Sequence, residues 1–485
     1  MININDLNIY NILDYGAVAN KNTLSKNVIN LAINECSKNN GGIVLIPAGD
    51  FLTGPIEMKS NVTLMLGEGS TLYFTNEIDE YPLVQSRWEG LECLTYAPLI
   101  YGKNVSNIKI TGQGTLIGNG QFWWKSFKNK QLNYPRPRFI CFENSKRVLI
   151  ENIKIVDSPS WTINPICCEN MTINNLTINN SADSPNTDGI NPDSSKNVHI
   201  SNCNIDVGDD CIAIKSGVED SKHRIPCENI VITNCTLLHG HGAVVIGSEM
   251  SGDVRNITIS NCVFENTDRG IRLKSRRGRG GVIENVTFSN IVMKKVMCPI
   301  VMNLYYFCGK GGKDKHVSNK NKVEVTEATP IIRNINISNV HAVEVQAAAG
   351  FIYGLPEMLI DNISLDNVFI TMDKNAVPDT PAMMDNLEPM SRNGFFVNNA
   401  SNLKFNNVTI KNHMGLSYNI INVDVATFNQ CNLNYNDDSQ ITIVDSKNIS
   451  INNCIMNDET LVYLNNIKNK YFLSENYNFC LTQVE

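Results

Sequence analysis

The stretch that decides the fold is "NVHISNCNI", residues 197–205, because it returns along the chain with its polar and apolar positions unchanged. It reads "NIVITNCTL" at 229–237, "NITISNCVF" at 256–264, "NVTFSNIVM" at 285–293 and "NINISNVHA" at 334–342. Further copies are "NISLDNVFI" (362–370), "NLKFNNVTI" (402–410) and "NISINNCIM" (448–456), with weaker ones beginning at Arg147, Asn170 and Val425. Successive starts lie mostly 23 to 32 residues apart, a period that signals a solenoid, and the few wider gaps imply coils with long inserted loops. Each copy alternates apolar and polar residues, as a strand with one buried face does. Helical periodicity is nearly absent. Short β-rich coils stacked in register make an all-β parallel β-helix, and asparagine at matching turn positions suits left-handed backbone and side-chain bonding to the neighbouring chain.

Ahead of the coils, "NTLSKNVINLAINECSKNNGG" (22–42) predicts a short amphipathic helix that stops at Gly41 and Gly42 and covers the open first coil. The expected organisation is a cap with first strands over 1–58, a β-helix over 59–465 and a tail over 466–485. At 485 residues, 42% of them apolar and 18% charged, the chain has a globular composition and no apolar run long enough to span a bilayer. A net charge of −7 and a pI near 5.6 disfavour nucleic acid as the main partner. Fifteen cysteines without a C-x-x-C pair read as reduced, buried thiols and not as zinc ligands. With an N-terminus that lacks a secretory pattern, this points to the cytoplasm, or to secretion if a signal has been removed. Neither a metal site nor a cofactor loop is expected.

In-register repeats allow columns to be read across coils. Aligning Asn202, Asn234 and Asn261 brings "CIAIK" (211–215), "AVVIG" (243–247) and "GIRLK" (270–274) together. Ile212, Val244 and Ile271 form one apolar column; Ile214, Ile246 and Leu273 form the next. "TDGIN" (187–191) then matches "DDCIA" (209–213), so Asp188 is expected one rung from Asp210, Asp209 one rung from His241, and Arg272 with Lys274 on the following rung. Alternation turns Arg272 and Lys274 to the outward face. Three carboxylates, one imidazole and two cations are thus expected on one face. Asp183 and Asp193 read as turn residues, His239 as a loop histidine, and Lys215 either as a solvated strand lysine or as part of the cluster. Packing three like charges is unfavourable, and proteins retain such clusters mainly for chemistry. Repulsion should raise at least one pKa and keep a protonated acid beside ionised carboxylates, the division of labour glycoside hydrolysis requires.

"NTDG" (186–189), "GDD" (208–210), "GHG" (240–242) and "RLK" (272–274) resemble, in order and spacing, the polygalacturonases, pectin-degrading glycoside hydrolases of family 28. The resemblance covers nearly the whole chain, and "GDDCIAIKSG", "GSEMSG" and "RGIRLKSRRGRGG" look most like the bacterial exo-acting branch. It implies a right-handed β-helix and inverting hydrolysis of α-1,4-galacturonosidic bonds in an oligo- or polysaccharide. Carried over, Asp209 matches the general acid, and Asp188 and Asp210 match the carboxylates that position and deprotonate water. His241 matches the histidine that supports the acid, Arg272 and Lys274 the pair that holds the uronate carboxylate, and Asn186 a residue lining the site. This chain departs from the family pattern at Asn191, where Asp is frequent, and at Asn164, where His is common. The loop insertions 118–138, with Trp123 and Trp124, and 303–329, with Tyr305 or Tyr306, are candidates to block one end of a cleft, and Tyr305 is a candidate sugar platform. Cytoplasmic location would favour exo action, since short oligogalacturonides enter a cell and pectin does not.

Two rivals use the same fold: a calcium-dependent pectate lyase, against which the Asp pair, "GHG" and "RLK" argue, and a non-catalytic carbohydrate-binding β-helix, which needs no carboxylate cluster. Hydrolysis of rhamnogalacturonan or another decorated pectin is the nearer alternative. The basic run "DRGIRLKSRRGRGG" (268–281) then divides into the Arg272–Lys274 clamp and a fringe of Arg276, Arg277 and Arg279 that extends the clamp or attracts acidic substrate, with Arg269 expected in the column of Asp210.

Overall fold

Both asparagines of each repeated phrase hold left-handed backbone: φ is +56° at Asn197 and +57° at Asn202, and likewise +57° at Asn285 and +56° at Asn290. Between them the chain runs extended, with two side chains turned inward. Asparagine tolerates that conformation better than other residues with a Cβ, so each phrase bends at its two ends and keeps a straight strand between. The computed structural model describes residues 8–433 and 440–455, together with strands at Leu461–Asn465, Phe472–Leu473 and Cys480–Gln483. The chain forms two compact units, Met1–Gly240 and His241–Glu485, and is an all-β, right-handed parallel β-helix.

In the first unit every coil contributes to three parallel ladders. One runs Val62–Leu66, Ser106–Gly112, Lys146–Glu151, Glu169–Asn174, Lys196–Ser201 and Cys227–Thr233. Its inward positions make continuous columns: Ile108, Val148, Met171, Val198 and Ile230, then Ile110, Ile150, Ile173, Ile200 and Ile232, all buried. Burying each such side chain contributes about 1.5–3 kcal/mol. A second ladder runs from Ser70–Phe74 to Thr236–Leu238. The third begins with Ile56–Glu57, Ile100–Lys103 and Ile140–Glu143 and continues as single bridges Ile140–Ile163, Ile163–Ile190 and Ile190–Ile212. That last series carries the candidate site.

The predicted helix spans Lys26–Lys38 and buries Ile29, Ala32, Ile33 and Cys36. Asn30 Nδ2 donates to the Pro55 carbonyl, and Ser37 to that of Ser60, which ties the helix to the first coil. Stacking begins with Ile9–Asn11 on Gly42–Ile46, which pairs in turn with Val62–Leu66.

In the second unit two ladders of the coil merge into long bent strands: Val254–Glu265, Val282–Lys294, Ile331–Val345 and Ile360–Met372 pair in series. Beside them run Val244–Ile246, Arg269–Lys274, Cys298–Asn303 and Ala348–Tyr353. The expected columns appear in register, with Val244 beside Ile271 and Ile246 beside Leu273. Phe472–Leu473 and Cys480–Gln483 extend the parallel pairing into the segment expected as a tail; the other residues of 466–485 lie outside the described residues. No disulfide forms among the described cysteines.

The turn asparagines also bond to one another from coil to coil. Asn290 donates to Asn261 at 3.2 Å, Asn339 to Asn290 at 3.1 Å, Asn367 to Asn339 at 3.1 Å and Asn407 to Asn367 at 2.9 Å. A parallel file runs through Asn256, Asn285, Asn334 and Asn362. Asn290 combines both duties, so Asn290→Ala is expected to lower stability by about 2–5 kcal/mol, the left-handed backbone cost plus two lost amide bonds. Asn290→Gly, which keeps the backbone freedom, should lose only the two bonds, about 1–3 kcal/mol. Urea denaturation of the two variants checks this; equal losses would show that backbone conformation is not what the asparagine supplies.

Candidate active site

Asp188, Asp209, Asp210 and Asn186 fall in the first unit, and His241, Arg272, Lys274 and Tyr305 in the second.

The pairing of Ile190 with Ile212 brings the three aspartates together, because it sets Gly189 N on the Asp210 carbonyl at 3.0 Å. One carboxylate oxygen from each of Asp188, Asp209 and Asp210 lies within 4.8 Å of the others. The backbone approaches so closely that a Cβ on Gly189 would sit 2.4 Å from the Cys211 carbonyl. Gly240, at φ +77°, would place one 2.1 Å from the Asp209 carbonyl. These glycines of "NTDG" and "GHG" are therefore conditions for the cluster. Asp188 and Asp210 are buried and Asp209 is half-exposed. Asp209 Oδ1 accepts the Asp210 backbone N–H at 2.9 Å.

Burial pushes the Asp188 carboxyl well above the usual range, and the Asp209 and Asp210 charges push the same way. Two groups oppose them. Lys215 Nζ lies 3.9 Å from Asp188 Oδ2, and Asn191 Nδ2 donates to the same oxygen at 2.9 Å. Lys215 is thus not a solvated strand lysine: it is 4% exposed, with Nζ 4.8 Å from the centre of the Trp161 ring. Asn191, a departure from the family pattern, gives Asp188 a donor where an aspartate would add a further negative charge. Asn164, the other departure, holds Asn191 through its carbonyl at 2.8 Å and is itself held by Arg138 at 3.0 Å. The oxygen spacing would admit a cation, but the positive charge set beside Asp188 is Lys215.

Asn186 accepts from Arg136 Nη2 at 2.7 Å. Asp193 is more than a turn residue, since it pairs with Arg87 at 3.0 Å, both side chains being buried. Arg87 belongs to the hairpin Leu83–Trp88 and Leu91–Tyr96, in which Trp88 stacks on Trp161 at 4.8 Å. Trp123 and Trp124 do not face outward from their insertion. They sit in the helix Gly120–Lys128, Trp123 packed on Tyr81 and Tyr96, and Trp124 Nε1 bonded to the Ser158 carbonyl at 2.9 Å.

In the second unit Arg272 and Lys274 alternate on Arg269–Lys274, and both are buried beneath neighbouring segments. Arg272 donates to the His241 carbonyl at 3.4 Å and to Met383 Sδ at 2.9 Å, and the His241 side chain is exposed. The ring beside the pair is Tyr306, with Lys274 Nζ 5.1 Å and the Arg272 guanidinium 5.8 Å from its centre. Tyr305 is the wrong choice for a sugar platform. It is 1% exposed, with Lys320 Nζ 3.4 Å from its ring centre and Tyr353 packed at 5.0 Å. Beyond the strand Cys298–Asn303, alternation no longer determines which of two adjacent rings lies beside the cations.

The basic fringe is not a surface for substrate. Arg276, Arg277 and Arg279 are buried. Arg277 pairs with Glu357 at 2.5 Å and donates to the carbonyls of His316, Asn319 and Asn321; Arg276 donates to that of Lys310 at 2.7 Å. Arg276 and Arg277 tie down the insertion 303–329. Arg269 donates to the carbonyls of Thr380 and Pro381 and to Asp268.

The model of the glycosyl hydrolases family 28 matches residues 36–377. The chain belongs to that family. It is 33% identical over 377 residues to a probable polygalacturonase of Vitis vinifera, covering 75% of this chain and 74% of that protein. It is 31% identical to an endo-polygalacturonase of Pectobacterium carotovorum subsp. carotovorum, over 64% of this chain and 79% of that one. Among solved structures, a hyperthermoactive exopolygalacturonase from Thermotoga maritima superposes with a TM-score of 0.69 at 31% identity, covering 83% of this chain and 91% of that chain. This family 28 member is accordingly a glycosidase of the polygalacturonase kind, with endo- and exo-acting proteins both among those it resembles.

Arg277→Met should leave the insertion 303–329 untied. Limited proteolysis of the folded protein is expected to cleave within it much faster than in the wild type, and equal rates would show that other contacts hold it.

Proposed function

We propose that the protein hydrolyses α-1,4-galacturonosidic bonds from a chain end, with inversion at the anomeric carbon. The observation that carries this reading is the gathering of Asp188, Asp209 and Asp210 within 4.8 Å, with Lys215 and the Asn191 amide set against Asp188 to favour its ionised form. Asp209, the half-exposed member, gives its proton to the glycosidic oxygen as the bond to the anomeric carbon breaks. Asp188 and Asp210 hold a water that adds to that carbon and take up its proton, so one water is consumed and one reducing end formed. By resemblance, His241 supports the acid, Arg272 and Lys274 hold the uronate carboxylate, and Asn186 lines the site. Arginine and lysine suit that carboxylate because their charge is fixed at neutral pH.

The stereochemical assignment has a physical rival. Inverting pairs usually stand about 6.5–9.5 Å apart and retaining pairs about 5–5.5 Å, so 4.8 Å resembles the second. What supports inversion is the third carboxylate, which allows a water to be held by two groups while the third keeps the proton. Proton NMR of the first product should show the β-anomer; the α-anomer would establish retention. Exo action draws on the likeness to the Thermotoga maritima protein, and the Pectobacterium relative is its counterweight. Free galacturonate as the only early product from polygalacturonate is expected, whereas a ladder of oligomers would mean endo cleavage.

The pH profile separates the roles of the aspartates. The Lys215 charge lowers the Asp188 pKa, so Lys215→Met raises it. As a base Asp188 must be ionised, and the acidic limb of kcat/KM should move to higher pH. Movement of the alkaline limb instead would make Asp188 the proton donor.

A further inference from the structure

The buried arginines and lysines of the first unit differ in how their charge is balanced. Arg87 has Asp193 and Glu92, and Lys215 has Asp188. Arg136, 2% exposed, and Arg138, wholly buried, are held by neutral oxygens, and of the two it is Arg136 that borders a cavity. Its Nη1 donates to the carbonyls of Pro159 at 3.0 Å and Pro185 at 2.7 Å, and its Nη2 to Asn186. A guanidinium has five N–H donors, so two remain, including that on Nε. Burial lowers its pKa to about 10, still well above neutrality, so the charge stays. The charges of Glu89, Asp188 and Asp209 act on it only from beyond ion-pair distance, which leaves its remaining donors open to a closer anion.

Arg136 lines a cavity of about 360 Å³ with Trp88, Phe127, Lys130, Leu132, Asn133, Tyr134 and Pro135. That is at the small end of ligand sites, which run from about 300 to 1,000 Å³. Its walls are aromatic and open: Phe127 is 46% and Tyr134 36% exposed, so both rings are accessible to a ligand. The Phe127 ring lies 4.0 Å beneath the guanidinium, which fixes the orientation of the cation. Asn186, two residues from Asp188, joins this cavity to the carboxylate cluster of the same unit.

We propose that Trp88, Phe127, Tyr134 and Arg136 form a pocket that takes one uronate unit of the substrate, with Arg136 on its carboxylate and the rings on its apolar face. This rests on the galacturonan reading and adds residues that the motifs do not contain. The hairpin Leu83–Trp88 and Leu91–Tyr96 and the insertion 118–138 then bind sugar, and Lys130 at the rim adds attraction for an acidic chain.

Two measurements test it. In trigalacturonate kinetics, the double variant Phe127→Ala/Tyr134→Ala, at positions exposed enough to leave folding intact, should raise KM about tenfold with kcat within about twofold, the pattern of lost uniform binding. In calorimetric titration of Asp209→Asn protein with digalacturonate and with its neutral counterpart galactobiose, the added Arg136→Gln change should remove most of the preference for the charged ligand. An unchanged KM in an active double variant overturns the pocket. Should the wild type cleave no galacturonan, the functional reading fails, and the pocket is then judged by titration alone: digalacturonate binding unaffected by Phe127→Ala/Tyr134→Ala rejects it, and weakened binding upholds it.

Discussion

The register between successive coils is the constraint on which the remaining structure rests. Parallel strands pair evenly, so nothing in their backbone bonding distinguishes one register from a slip of two residues, and a slip of one would turn every inward side chain to the solvent. The isoleucine and valine columns penalise the odd slip. The asparagine files penalise the even one, because each amide reaches only its counterpart on the adjacent coil, 2.9–3.2 Å away along Asn261, Asn290, Asn339, Asn367 and Asn407. Asp188 and Asp210 share a position because Ile190 and Ile212 do, and the close glycine contacts leave no other way to stack those rungs.

Stacking strong enough to hold register can also hold charges together against repulsion. The first unit does this by setting compensating groups beside a buried member. Asp188, a buried carboxyl, receives Lys215 and the Asn191 amide, while Asp209 stays partly in contact with solvent. Lys215 is itself set against Trp161, which Trp88 covers from the hairpin, so that hairpin reaches the electrostatics of the cluster through two stacked indoles. In the second unit the Arg277–Glu357 pair and a set of carbonyl oxygens take up charges that look, in the linear chain, like an attractive surface.

The repeat makes the fold legible, since period, alternation and turn asparagines are all local features. It also makes Asp188, Asp209 and Asp210 legible as neighbours, because alignment of copies is alignment in space. What stays hidden lies outside the repeat. Arg87 meets Asp193 from 106 positions away, and Arg136 meets Asn186 from 50, through insertions that follow no period. Sequence alone does not choose Tyr306 over Tyr305, because strand alternation ends at Asn303. The arginine fringe reads as a surface because burial by a loop leaves no mark on the residues it covers. Lys215 is ambiguous for a related reason: an outward strand position says nothing about whether an indole and a hairpin lie over it.

The central claim is that the carboxylate cluster adds water across a galacturonosidic bond, and the fate of the water oxygen tests it most directly. Trigalacturonate digested in water enriched in heavy oxygen and examined by mass spectrometry should carry the label at the newly formed reducing end, without any unsaturated sugar, and Asp209→Asn should abolish the labelled product. Unlabelled products bearing a double bond would show that the bond is broken by elimination, and the roles assigned to Asp188, Asp209 and Asp210 would be wrong.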